Sequence, residues 1–156
     1  MDSGRRTFIR NAGNAGVIAM LVANGFLRPE NATADLWNKS AFDATSLEEA
    51  LKKVVDGPLA DSADVTIVAP DIAENGAVVP VGVVASMAGV ESIVILCDKN
   101  PHPLAAIYEI PEGTLADVKT RVKMAGTSNV VVLVKAEGAF YMASKEIKVT
   151  RGGCGG

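Results

Sequence analysis

From Val65 onward the chain is a succession of short apolar or alternating segments separated by turn residues, and this pattern constrains the fold more than any other feature. Alternation with a period of two is typical of β-strands, and the segments end at Gly, Pro or Asn residues. No helical pattern lies between the segments, as a parallel α/β fold would require. Seven strands are predicted, over 65–68, 78–85, 91–98, 106–110, 118–124, 130–134 and 140–149. The sequence therefore predicts a mainly β fold, an immunoglobulin-like antiparallel β-sandwich.

Several turn and breaker residues refine this prediction. Asn75-Gly76 is a strong turn signal, and Ala136-Glu137-Gly138 predicts a hairpin. Pro80 indicates an edge strand or a bulge, because proline cannot donate a ladder hydrogen bond. The last strand is expected to carry one irregularity near Ser144.

One early helix precedes the strands. Ser46-Leu47-Glu48-Glu49 is a capping box, with Ser46 as the N-cap residue. Apolar residues follow on one helical face, and Gly57-Pro58 ends the helix after about three turns. We expect this helix to cover an edge or an end of a sheet.

Residues 1–34 read as an export signal. Arg5-Arg6, followed by Phe8 and Ile9, resembles the twin-arginine motif. A weakly apolar stretch, too short to span a bilayer stably, comes next, and Ala32-Thr33-Ala34 offers a cleavage site. The mature chain is expected to begin near Asp35, in the periplasm, with no membrane segment. The twin-arginine route moves folded proteins, and with no cofactor motif in the sequence a co-exported partner is the better explanation for its use.

Charge is unevenly distributed along the predicted domain, 35–150, and the tail. Residues 35–117 contain 14 acidic and 4 basic residues, whereas residues 118–156 contain 2 acidic and 7 basic residues. The acidic part argues against nucleic acid as the main partner. The basic end is either ordinary solvated surface or a feature that attracts an anion or an acidic partner.

The chain ends in Arg151-Gly152-Gly153-Cys154-Gly155-Gly156, and this tail is its most informative motif. Four glycines around one cysteine cannot pack a core, so 151–156 is expected to be a flexible, slender arm. From Arg151 to Cys154 it can extend roughly 10 Å. An exposed thiol is partly ionised at neutral pH, and the thiolate attacks sulfur or a disulfide. The alternative is a frayed tail with an incidental cysteine.

The other candidate residues have simpler interpretations. Cys97 lies in the apolar run 93–97 and is expected to be a buried small hydrophobe. His102, between Pro101 and Pro103, is expected to be a loop residue, and no Cys/His spacing typical of a metal site occurs.

Several of these features together resemble the SoxY family. They are Arg5-Arg6, the early helix, the stretches 100–104 and 121–128, and above all the ending 148–156 with its Gly-Gly-Cys-Gly-Gly. The resemblance covers essentially the whole mature chain. Cys97 departs from it, because an aliphatic residue is expected there, and a second thiol leaves open a side reaction or a disulfide.

The resemblance implies a periplasmic sulfur carrier of thiosulfate oxidation that is not itself an enzyme and needs no cofactor. Its partners would be a SoxZ-like subunit in a heterodimer, a SoxXA-like c-type haem enzyme that conjugates thiosulfate, a manganese-dependent SoxB-like hydrolase that releases sulfate, and a sulfane dehydrogenase in organisms that have one. Cys154 would be the attachment point, and Gly152, Gly153, Gly155 and Gly156 would supply flexibility and slenderness.

Three other functions are compatible with parts of the sequence. A thiocarboxylate carrier would use the terminal Gly155-Gly156, but it needs ATP, which an exported protein rarely meets. An immunoglobulin-like structural module would use Cys154 for an intermolecular disulfide. A thiol enzyme would use His102 as a base.

Overall fold

The computed structural model describes residues 38–153. In this range the protein has two helices and nine strands. The helices are α1 (Lys39–Phe42) and α2 (Leu47–Val54). The strands are β1 (Leu59–Asp61), β2 (Val65–Val68), β3 (Ile72–Ala73), β4 (Val79–Ala85), β5 (Val90–Cys97), β6 (Leu104–Glu109), β7 (Asp117–Val122), β8 (Ser128–Ala136) and β9 (Ala139–Val149).

The strands form two sheets, which confirms the predicted mainly β, immunoglobulin-like sandwich. The larger sheet has the order β1-β9-β8-β5-β6, with β3 also paired to β9, and the smaller has the order β2-β4-β7. All seven predicted strands are present. The two additional strands, β1 and β3, are short and run parallel to β9, so the larger sheet is mixed rather than wholly antiparallel.

The larger sheet is buried on both faces. One face packs against the smaller sheet through alternate residues of β5 and β8, including Ile93, Ile95 and Val132. The other face, including Leu96 and Leu133, packs against the two helices. A strand with two buried faces has no polar side, and this explains why β5 and β8 are continuous apolar runs in the sequence.

Helix α2 begins as predicted, but it is shorter and lies elsewhere. Ser46 Oγ accepts the backbone N–H of Glu49 at 3.2 Å, and Glu49 Oε2 accepts the N–H of Thr45 at 3.1 Å. The helix has eight residues, about two turns, because Val55 is extended and leads the chain towards β1. It covers the outer face of the larger sheet, so its predicted place at an edge or end of a sheet is wrong.

Two strand details also differ from the predictions. Strand β4 is the centre of its sheet and not an edge. Pro80, however, lies beyond Gly82, the last residue that pairs with β2, so only β7 flanks the strand at this point. The irregularity predicted near Ser144 is absent, because β9 pairs with β8 in one continuous register from Ala139 to Ile147.

The predicted turns are confirmed. Glu137 and Gly138 join β8 to β9, and both have positive φ, 51° and 75°, as a tight two-residue hairpin requires. Asn75 and Gly76 turn the chain between β3 and β4, from one sheet to the other. Within residues 38–153 no helix is long and apolar enough to cross a membrane.

Candidate functional site

The described residues include the base of the predicted arm and not its end. Gly152 and Gly153 lie within 38–153, whereas Cys154, Gly155 and Gly156 lie outside the described residues. The export-signal residues Arg5 and Arg6 lie outside them as well. The site can therefore be built up from the sandwich as far as Gly153.

Strand β9 leads into the arm, and the chain just before the arm is held by its neighbours. Thr127 Oγ1 accepts the N–H of Val149 at 3.0 Å. The N–H of Thr150 donates to the carbonyl of Ala73 at 3.0 Å, and Thr150 Oγ1 donates to the carbonyl of Glu74 at 3.0 Å. The two bonds of Thr150 continue the parallel pairing of β9 with β3 as far as the residue that precedes the arm.

The arm then passes between two segments of the sandwich. The carbonyl of Arg151 accepts the N–H of Gly76 at 2.7 Å, and the N–H of Gly153 donates to the carbonyl of Met124 at 2.9 Å. The N–H of Met124 donates in turn to the carbonyl of Gly76 at 2.7 Å, which joins the two segments. The base of the arm is therefore hydrogen-bonded on both sides, and the flexibility assigned to Gly152 and Gly153 stays a prediction.

Three glycines make this approach possible because they have no side chain. A Cβ on Gly152 would overlap the carbonyl oxygen of Ala125, and one on Gly153 would overlap the backbone of Gly76 and Ala77. A Cβ on Gly76 would overlap the carbonyl oxygen of Met124 and lie 2.8 Å from the nitrogen of Gly153. Backbone meets backbone here at distances that any other residue would prevent.

Asn100 fixes one of the two segments, a role that sequence analysis did not predict. Its Nδ2 donates to the carbonyl of Lys123 at 2.7 Å, and its Oδ1 accepts the N–H of Ala125 at 2.9 Å. The side chain therefore satisfies the backbone groups on either side of Met124. The one local signal was the position of Asn100 before Pro101, in the loop that contains His102.

Exposed basic residues are adjacent in sequence to the groups that hold the arm. Lys99 precedes Asn100, Lys123 precedes Met124, and Arg151 supplies the carbonyl that Gly76 binds. None of the three forms an ion pair with any described residue, so their charges are available to an anion. Lys123 and Arg151 belong to the basic part of the sequence, 118–156. Lys99 lies in the loop 98–103, whose Asn100 contacts that part.

The remaining candidate residues lie elsewhere. Cys97 has no solvent exposure and is part of the core between the sheets, which confirms the prediction of a buried small hydrophobe. His102 is exposed in the loop after β5, as predicted, and its Nδ1 lies 3.3 Å from the carbonyl oxygen of Ala44, which precedes α2. In the described part of the chain no group of three or more His, Cys, Asp or Glu side chains is placed to hold a metal ion.

The chain is similar to several solved structures. A solved structure, the sulfur carrier protein SoxY from Chlorobium limicola f thiosulfatophilum, is 39% identical and superposes with a TM-score of 0.60, covering 66% of this chain and 94% of that chain. A structure of toxic shock syndrome toxin-1, a bacterial superantigen, is 11% identical with a TM-score of 0.39, covering 55% of this chain and 98% of that one. No curated protein sequence matches the chain.

The family comparison covers both the sandwich and the arm. The model of the family described as sulfur oxidation protein SoxY matches residues 51–154, which is more than half of the chain. The matched range includes β1 to β9 and Gly152-Gly153, and its last residue is Cys154. The chain therefore belongs to the SoxY family.

Proposed function

We propose that this protein is a periplasmic carrier that holds sulfur intermediates of thiosulfate oxidation on the thiol of Cys154. The observation that carries the proposal is the family match over 51–154, which extends to the cysteine of the Gly-Gly-Cys-Gly-Gly ending. The 39% identical relative is itself a sulfur carrier protein. The protein is a substrate for partner enzymes and not a catalyst.

The chemistry requires a thiol that reacts and is then regenerated. Loading joins the Cys154 sulfur to the outer sulfur of thiosulfate, with loss of the thiol proton and transfer of two electrons to a haem enzyme of the SoxXA kind. Hydrolysis by a SoxB-like enzyme consumes one water, breaks the bond between sulfur and sulfonate, releases sulfate and leaves a persulfide on Cys154. A sulfane dehydrogenase acts next on that persulfide where one is present.

The geometry of the described residues supports a carrier role. The sandwich brings the chain to Gly153 at a defined place, held by Gly76 and Met124, and Cys154 follows directly. Lys99, Lys123 and Arg151 are exposed cations, and they are next in sequence to Asn100, Met124 and Gly152. Thiosulfate and its thiol adduct are anions, so a basic surface favours their approach and retention.

Export and partners complete the proposal. Arg5 and Arg6 direct export by the twin-arginine route, and a SoxZ-like subunit without its own signal is exported with the folded protein as a heterodimer. An acidic partner surface would complement the basic end of the chain.

The first test is the intact mass of the protein purified without reductant from thiosulfate-fed cells, followed by peptide mapping. We expect added sulfur or a thiosulfonate on Cys154, removable by a reducing agent. Cys154→Ser should abolish the adduct, whereas Cys97→Ser, which changes the other cysteine, should keep it. A wild-type protein found only as a bare thiol or as a Cys154–Cys154 dimer would favour the structural module instead.

A further inference from the structure

We infer that Gly76, Met124 and Asn100 form a clasp that holds the base of the arm and determines where the carrier thiol emerges. The clasp consists of the turn 75–77, the segment 123–125 and the Asn100 side chain that fixes this segment. The inference rests on the proposed function only in treating Cys154 as the carrier. The clasp itself is defined by the contacts of described residues.

The backbone hydrogen bonds of the clasp form a closed pattern. Gly76 donates to Arg151, Gly153 donates to Met124, and Met124 donates to Gly76, all at 2.7–2.9 Å. Each of the three segments is thus bonded to the other two. Opening the arm at Gly153 removes this bond from the carbonyl of Met124 and the bond of Gly76 to the carbonyl of Arg151, so two backbone hydrogen bonds must be replaced by bonds to water.

Asn100 holds the segment 123–125 in place. Its two hydrogen bonds satisfy the carbonyl of Lys123 and the N–H of Ala125, and these groups flank Met124. Neither of these two hydrogen bonds joins Asn100 to the arm. It is a positioning residue, which holds the acceptor carbonyl of Met124 where Gly153 can reach it.

The docked base of the arm leaves no space for side chains. Gly152 and Gly153 have no room for a Cβ, because the space is taken by the backbone of Ala125 and of Gly76-Ala77. The first two glycines of the arm are therefore needed for close docking, in addition to any conformational freedom they provide. Gly126, next to Ala125, has nothing within 4 Å of a Cβ built on it and carries no such requirement.

The consequence is that, while the clasp is closed, Gly153 is the last described residue held by the sandwich, one peptide bond before Cys154. Because consecutive Cα atoms are about 3.8 Å apart, a chain held at Gly153 keeps the Cα of the cysteine within that distance of a fixed residue. A chain held only as far as Arg151 would give the cysteine a reach of roughly 10 Å. A partner enzyme must then come close to the clasp surface or open the clasp. Lys99 and Lys123, which are next in sequence to Asn100 and Met124, are exposed and positively charged.

The test is amide hydrogen exchange followed by NMR on the full mature protein with its partner subunit. Asn100→Ala removes both bonds to the 123–125 segment, and we expect exchange at Gly153 to accelerate about tenfold. Asn38→Ala is a matched control, because Asn38 also bonds two backbone groups, the N–H of Ala41 at 3.1 Å and the carbonyl of Lys53 at 2.9 Å, but in the helical layer. Exchange at Gly153 should not change in this control.

A second pair of variants tests the steric argument on the arm itself. Gly152→Ala should accelerate exchange at Gly76 and Gly153, and Gly126→Ala should leave both unchanged. Unchanged exchange at Gly153 in Asn100→Ala, or equal acceleration in Asn38→Ala, would overturn the clasp.

These measurements require no sulfur chemistry, so they separate the clasp from the carrier role. Loading of Cys154 in the same variants then gives the functional readout. We expect Asn100→Ala to change the loading rate and Asn38→Ala to leave it unchanged. Faster exchange at Gly153 in a protein that never carries sulfur would refute the proposed function and leave the clasp standing.

Discussion

At the scale of single residues, the protein uses glycine for two different physical reasons. Gly89 and Gly138 have positive φ, 66° and 75°, a region that other residues rarely adopt. Gly76, Gly152 and Gly153 have no such φ, but each lies against backbone with no room for a Cβ. The two groups should respond differently to substitution. A side chain at Gly76, Gly152 or Gly153 should loosen the base of the arm, whereas one at Gly89 or Gly138 should not.

The two cysteines also differ at this scale, and their difference leads to a prediction about reactivity. Cys97 has no solvent exposure and lies among the apolar side chains between the two sheets. A thiol reagent can reach it only when the core opens, because thiol reactivity requires access as well as ionisation.

We therefore expect Cys154→Ser, in which Cys97 is the one remaining thiol, to show no reaction with an aromatic disulfide reagent under native conditions. One thiol should react after denaturation in guanidinium chloride, which serves as the control. Stoichiometric reaction of the native variant within minutes would contradict this expectation. It would also reopen the possibility of a disulfide through Cys97.

At the scale of secondary-structure elements, strand β9 organises the larger sheet. It pairs with β8 along its length and with two short parallel strands, β1 at Phe140–Met142 and β3 at Lys148–Val149. Its far end then continues into the base of the arm. One long strand thus connects the core of the sheet to the functional end of the chain.

The elements that the sequence predicted are those with a strong local pattern. The alternation from Val118 to Met124 and the capping box at Ser46 each identify an element without reference to the rest of the chain. Strands β1 and β3 lack such a pattern, because β1 is wholly exposed and β3 has only two residues. Their pairing is determined by β9, which lies about 80 residues further along the chain.

The N-terminal end of α2 gives a prediction about pH. The hydrogen bond from Lys53, followed by that from the N–H of Thr45, holds the pKa of Glu49 below its ordinary value of 4.5. The ionised carboxylate is therefore favoured in the folded state, and its contribution to stability is present above pH 4.5. The contribution is lost as the pH falls through the lowered folded-state pKa.

We expect Glu49→Gln to lower the denaturation midpoint slightly at neutral pH and to have a diminishing effect as the solution is acidified well below pH 4.5. Urea titrations of both proteins at several pH values measure the difference. Glu112→Gln is the control, because Glu112 is exposed in a loop and its substitution should leave the denaturation midpoint at neutral pH unchanged. A difference that persists unchanged in acid would mean that Glu49 acts through something other than its charge.

At the scale of the whole molecule, the described residues form three layers, with the larger sheet between the helices and the smaller sheet. The sequence predicted the sandwich and the carrier motif, because alternation and Gly-Gly-Cys-Gly-Gly are local signals. It did not predict the clasp, since Gly76, Asn100 and Met124 come from three separate segments and meet only through the fold. Likewise, the helix was predicted to cover an edge or an end of a sheet, because the continuous apolar runs of β5 and β8 do not indicate which element covers their second face.

The layered arrangement predicts that the helices and the two sheets unfold together. Ile95 and Leu96 are neighbours on β5 with no solvent exposure, but Ile95 faces the smaller sheet and Leu96 faces the helices. If both interfaces belong to one cooperative unit, Ile95→Ala and Leu96→Ala should each lower the free energy of unfolding by about 2–5 kcal/mol. Val68→Ala, at a 61% exposed position on β2, is the control and should change it by less than about 0.5 kcal/mol.

Urea denaturation followed by far-UV circular dichroism and by amide exchange measures these differences and tests for a single transition. Coincident transitions with comparable losses for Ile95→Ala and Leu96→Ala would show that the helical layer is part of the cooperative core. A small loss for Leu96→Ala with an early loss of helical signal would show instead that the helices detach first. In that case the sandwich alone would support the base of the arm, because the hydrogen bonds described at Val149, Thr150, Arg151 and Gly153 run to strand or loop residues and not to a helix.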